Sequence, residues 1–260
     1  MTQPIESVTI ATKNLDLPAR LVVPPGAEDG PAPGLVVLHD SSGLDDATLQ
    51  TAIRLAGLGY SVIAPDLFAR SGGPKDTSDK GLLDFTLSLF DSQIIGDVLA
   101  ALHWLAARDD VKDGQLGVVG WGWGGAYALM AAAHDARIRA VADIGGHITY
   151  PLLTAPRPGS PLNFVADIEG AVFAAYPEND PTIPRNEIER MSSRLIEHDR
   201  IGEVKVYPNT TARFWLDDSL PQTAALWRRL ENFLRDNISG PDEEAEPLGD
   251  YPNEQSRLHA

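Results

Sequence analysis

Apolar positions along the chain change period several times, and each change marks an element. Residues 8–11 and 17–24 are short β-rich segments around the turn-prone Lys13-Asn14. They predict an antiparallel hairpin at a sheet edge. Residues 34–38 form a continuous apolar run of buried parallel-strand type, and Leu49, Ala52, Ile53 and Ala56 follow at helical spacing until Gly57 and Gly59. Residues 61–65 read as the next strand, and Ile94, Ile95, Val98, Leu99 and Leu102 mark one face of a helix reaching about residue 107. A central strand is predicted at 116–119, a small-residue helix at 126–134 and a strand at 140–144. The last two strands fall at 170–176 and 203–207, with a helix over 185–198 between them and another carrying Leu226, Leu230 and Phe233 after them. Residues 75–91 are long and mixed enough to read as a lid or mouth loop.

This alternation predicts an α/β fold. Right-handed crossovers build a mostly parallel, twisted sheet of about eight strands with helices on both faces, and its ligand site lies at the carboxyl ends of the strands. A length of 260 residues suits one large domain, taken here as residues 1–239. Residues 240–260 carry six acids and a single arginine among Pro, Gly, Asn and Ser, which predicts an acidic, disordered tail.

Charge and composition narrow the partners. The net charge is −16, so nucleic acid and anionic membrane surfaces are repelled. There is no cysteine, which removes thiolate catalysis, disulfides and Cys-ligated metal. No His, Asp and Glu grouping has metal-ligand spacing, so neither metal nor cofactor is expected. The reading is of a cytoplasmic protein, monomeric or weakly homodimeric.

Residues 117–125 read Gly-Val-Val-Gly-Trp-Gly-Trp-Gly-Gly, a strand running through a tight turn into a helix. That is the setting of a nucleophile elbow, which holds one Ser or Cys at the top of a parallel sheet, yet the residue at its apex is Gly122. Together with Leu38-His-Asp-Ser-Ser-Gly-Leu44 and Ala64-Pro-Asp-Leu-Phe-Ala-Arg70, the elbow resembles the dienelactone hydrolase family of the α/β-hydrolase fold. Tyr176-Pro-Glu-Asn-Asp180 resembles that family's acid loop, and Val206-Tyr-Pro-Asn-Thr-Thr-Ala212-Arg-Phe214 its histidine loop.

The resemblance implies lactone and ester hydrolysis by a Cys or Ser, His and Asp triad, whose positions here hold Gly122, Ala212 and Asp180. A nucleophile needs a heteroatom and a base must accept its proton, so neither glycine nor alanine serves. Loss of such a unit costs about 10⁶-fold in turnover. The degenerate triad therefore predicts a pseudo-hydrolase that binds a small anionic or aromatic molecule.

Its expected ligand-binding residues are Asp40, Ser41, Arg70, Trp121, Trp123 and His147. Trp121 and Trp123 flank Gly122 and are expected to wall the space that the missing side chain leaves. The resemblance assigns Arg70 to a substrate carboxylate, a task suited to its guanidinium fork, and places Asp40 where a glutamate partners the cysteine. His147 follows a core strand, and His39 ends the strand that opens the oxyanion loop. The alternative is a hydrolase of lactones or esters, or an isomerase or lyase, working through Ser41, His147, Asp40 and Asp180.

Overall fold

The computed structural model describes residues 4–239. The strands are β1 (Ile5–Ala11), β2 (Asp16–Val22), β3 (Ala32–Leu38), β4 (Ser61–Pro65), β5 (Val111–Trp121), β6 (Ile138–Ile144), β7 (Ala171–Pro177) and β8 (Gly202–Tyr207). The helices are α1 (Asp46–Gly57), α2 (Asp79–Leu87), α3 (Asp91–Ala106), α4 (Trp123–Ala132), α5 (Pro161–Phe164), α6 (Arg185–Glu197) and α7 (Pro221–Leu234). The eight strands make one sheet in the order β1-β2-β4-β3-β5-β6-β7-β8. The β1-β2 hairpin and the β2-β4 pair are antiparallel, and every other pair is parallel.

Strand alternation sorts the core into two layers. Val36, Leu38, Val118 and Val141 face α3, α4 and α6. Their neighbours Leu35, Val37, Val119 and Ala140 face α1 and α7. Chain direction across the sheet reverses between β3 and β5, because the helix after β3 leads outward to β4 while the helix after β5 leads to β6 on the other side. The carboxyl ends of such a pair leave a crevice that no crossover covers.

Two sequence expectations need correction. The segment 75–91 is not loop throughout: Ser78 caps α2 by accepting the Gly81 N–H at 3.1 Å, and Leu82 and Thr86, one turn apart, are buried. Its length left room for a helix that the mixed composition hid. The central strand also begins at Val111 rather than Leu116, since its polar first half pairs with β3 through Ala32 and Val111 across a register shift. The predicted tail lies outside the described residues.

Candidate functional site

Parallel register brings the site together. Leu38 on β3 pairs with Gly120 on β5, so Asp40 and Gly122, each two residues further on, end up side by side above the sheet. Gly122 turns the chain from β5 into α4 with φ 51° and ψ −122°, a conformation that residues with a side chain rarely adopt. Its N–H donates to the Ile144 carbonyl at 2.7 Å, and its own carbonyl accepts from Gly125 N–H at 2.9 Å. The elbow backbone is thus complete.

The space above Gly122 is filled. A Cβ built on it would overlap Oδ1 and Cγ of Asp40 and lie 2.8 Å from Oδ2. Asp40 Oδ1 accepts the N–H groups of Ser41 at 2.6 Å and Trp123 at 2.9 Å. One donor comes from the loop after β3 and the other from the residue after the elbow apex, the two sources from which this kind of site stabilises a substrate oxyanion. Oδ2 pairs with Arg213 Nε at 3.0 Å. A carboxylate suits the positive end of α4, and the guanidinium balances its second oxygen.

Asp180 and Ala212 border the same hollow of about 300 Å3, along with Asp40, Ser41, Gly122, Trp123 and His147. Asp180 follows β7 and is tied into a turn, its Oδ1 accepting Thr182 N–H at 2.8 Å and Thr182 Oγ1–H at 2.7 Å. Ala212 stands in the loop after β8, where Asn209 and Arg213 both take left-handed backbone conformations. His147 projects from the loop after β6. Burial lowers its proton affinity, opposed by the Asp180 carboxylate, the Thr182 backbone and, more weakly, Asp40. An imidazole that favours its neutral form therefore shares a cavity with the carboxylates of Asp40, Asp79 and Asp180.

Other expected site residues do not join them. Arg70 is absent from this lining: its Nε and Nη2 make a fork to the Asp97 carboxylate at 3.1 and 2.6 Å, and Asp97 is almost fully buried. Trp121 packs on Trp215 and Trp227 on the α1/α7 side of the sheet. Trp123, at the start of α4, packs on Phe68 and Tyr127 on the opposite side. The two indoles do not wall a common space, because strand alternation sends one down while the turn sends the other across. His39 is fully buried, accepting Leu67 N–H on Nε2 and, in the matching tautomer, donating from Nδ1 to the Asp40 carbonyl. It positions the Asp40 loop.

Arg213 escaped the sequence reading, although it adjoins Ala212 and its charge was the available signal. Trp215, Leu82, Leu83 and Thr86 also line the hollow, the last three from α2. Arg157 holds the end of that helix by donating to the Thr86 carbonyl at 2.6 Å.

Chemically, the arrangement offers no hydroxyl or thiol at the apex, and the amides that would receive an oxyanion already hold Asp40. Ser41 contributes its N–H to that contact; among the described residues its hydroxyl makes no hydrogen bond to an imidazole or carboxylate that would activate it. No grouping of His, Asp and Glu among the described residues is arranged to hold a metal ion.

Known proteins give the geometry a context. Residues 17–236 match the model of the dienelactone hydrolase family. A Salmonella typhi protein named "Putative carboxymethylenebutenolidase" is 30% identical over 80% of this chain and 77% of its own length. A Bradyrhizobium protein named "Probable 2-oxo-3-(5-oxofuran-2-ylidene)propanoate lactonase" is 27% identical, covering 81% of this chain and 86% of that one. Among solved structures, a Klebsiella pneumoniae protein described as a "Putative Dienelactone Hydrolase" superposes with a TM-score of 0.83 at 24% identity, over 89% of this chain and 98% of the other. That likeness shows the α/β-hydrolase fold.

Proposed function

The chain belongs to the dienelactone hydrolase family, and from that premise we propose that it is a small-molecule-binding member whose acyl-enzyme route is closed. One observation carries the reading: the Asp40 carboxylate occupies both the nucleophile's space and the oxyanion donors. Closure is thus twofold. Gly122 supplies no attacking atom, and a substrate carbonyl entering the site meets amides that are already engaged.

The hollow supports a small planar ligand, aromatic or lactone-like. Trp123, Trp215, Leu82 and Leu83 provide apolar wall, while His147 and Arg213 provide polar edges. The cation that borders the hollow is Arg213, paired through Nε with Asp40, whereas Arg70 lies outside the lining and is committed to Asp97.

A second reading is favoured by the His147 and Asp180 neighbourhood and by the lactonase names of the relatives. In it, His147 takes a proton from water that attacks a lactone carbonyl directly, with no covalent intermediate. Hydrolysis of p-nitrophenyl acetate and of a butenolide separates the two. The binding reading expects no turnover above heat-unfolded protein and no labelling by a fluorophosphonate probe, with ligand entry reported by tryptophan fluorescence. Turnover that disappears in His147→Ala establishes the second reading and overturns the first.

A further inference from the structure

We infer that the site retains one covalent chemistry, hydrolytic displacement at an sp3 carbon bearing an anionic leaving group, with the Asp40 carboxylate as nucleophile and His147 as base. This goes beyond the binding reading and shares with it only the location of Asp40 in the hollow.

The inference follows from which oxygen is held by what. Oδ1 is bound by the Ser41 and Trp123 amides, so the tetrahedral centre that these donors are placed to stabilise is Asp40's own Cγ. Oδ2 keeps acceptor capacity and, among the described residues, pairs with the Arg213 guanidinium, which steers the carboxylate without protonating it. Acyl substrates gain nothing from this arrangement, because their carbonyl oxygen finds no free donor. An alkyl substrate needs none: its carbon is attacked directly, and the charge that develops lies on the departing anion.

The steps balance. Oδ2 attacks the carbon of an alkyl halide, the carbon–halogen bond breaks, and halide leaves with the bonding pair, giving an alkyl ester of Asp40. His147 then takes a proton from water as its oxygen adds to Cγ, and the resulting oxyanion on Oδ1 is held by the two amides. The Cγ–Oδ2 bond breaks, the alkoxide recovers the proton from His147, and the new carboxylic acid loses its proton to solvent. The net reaction consumes alkyl halide and water and yields alcohol, halide and a proton.

The test uses the full-length chain and 1-bromobutane. Wild-type protein is expected to release bromide over many turnovers, and turnover in ¹⁸O-water is expected to place label in the Asp40 carboxylate. His147→Ala should lower turnover by roughly 10²-fold or more and accumulate one butyl group per chain, mapped by peptide mass to Asp40. Asp40→Asn, with folding checked by circular dichroism, should neither release bromide nor carry the ester. Bromide release no faster than from heat-unfolded protein, or a butyl ester on another carboxylate, overturns the proposal. The His147→Ala adduct decides the matter even where Asp40→Asn fails to fold. Failure here leaves ligand binding untouched, so it is distinguishable from failure of the binding reading.

Discussion

Adding one carbon at Gly122 probes the filled apex directly. Gly122→Ala contributes no reactive atom, yet it forces a side chain into φ 51° and pushes its Cβ into the Asp40 carboxylate. The backbone conformation alone costs about 1–3 kcal/mol. Displacing Asp40 also breaks its charge-assisted contacts to Ser41, Trp123 and Arg213, worth roughly another 1.5–3 kcal/mol. The single substitution should therefore lower unfolding free energy by about 2.5–6 kcal/mol, a large share of the roughly 5–15 kcal/mol of an ordinary domain. Asp40→Ala loses the contacts but leaves the elbow free of overlap. In the double variant the overlap is gone and the contacts are lost only once, so its cost should fall short of the sum of the singles by about 1.5–3 kcal/mol. Urea unfolding followed by far-ultraviolet circular dichroism measures all four proteins. A cycle that closes to within about 0.5 kcal/mol would show the two positions independent, and the claim that Asp40 holds the nucleophile's space would then be wrong.

Two further outcomes follow from charges away from the apex. Arg70→Ala should leave ligand affinity within about twofold, yet cost roughly 3 kcal/mol of stability, because it strands the buried Asp97 carboxylate; a large loss of affinity in titrations, without destabilisation, would return Arg70 to the site. Asp143 lies fully buried beside the elbow, accepting Tyr176 O–H at 2.7 Å and Gly146 N–H at 2.8 Å, and burial pushes its carboxyl up to about 7. The folded state then binds this proton more tightly than the unfolded chain does, so stability is fullest in acid, falls as the pH rises through about 7, and levels off above. Asp143→Asn should flatten that part of the slope in urea melts at pH 5 and pH 8; an unchanged slope would assign it to other groups.

Much of the architecture was legible because it depends on local periodicity. The apolar run of β3, the helical spacing of α1 and the amphipathic face of α3 announce themselves over short windows, and eight strands follow. The elbow was equally plain, since Gly120 and Gly124 mark a helix start lying close against a strand end. α2 was missed because its polar first turn resembles a loop, and only burial of Leu82 and Thr86 against the body makes it a helix.

What the linear order determined by itself was residue identity: a glycine at the apex of the strand–turn–helix and an alanine at position 212. What fills the space above Gly122 was a decision of the tertiary structure. Asp40 and Gly122 are far apart in the chain and become neighbours only through the register of β3 on β5, while Arg213 reaches the same carboxylate from the loop after β8. Trp121 and Trp123 show the converse, two residues apart in sequence and separated by the sheet. Spacing along a strand fixes which face a side chain takes, but charges meet across strands, where only the folded sheet sets the distance.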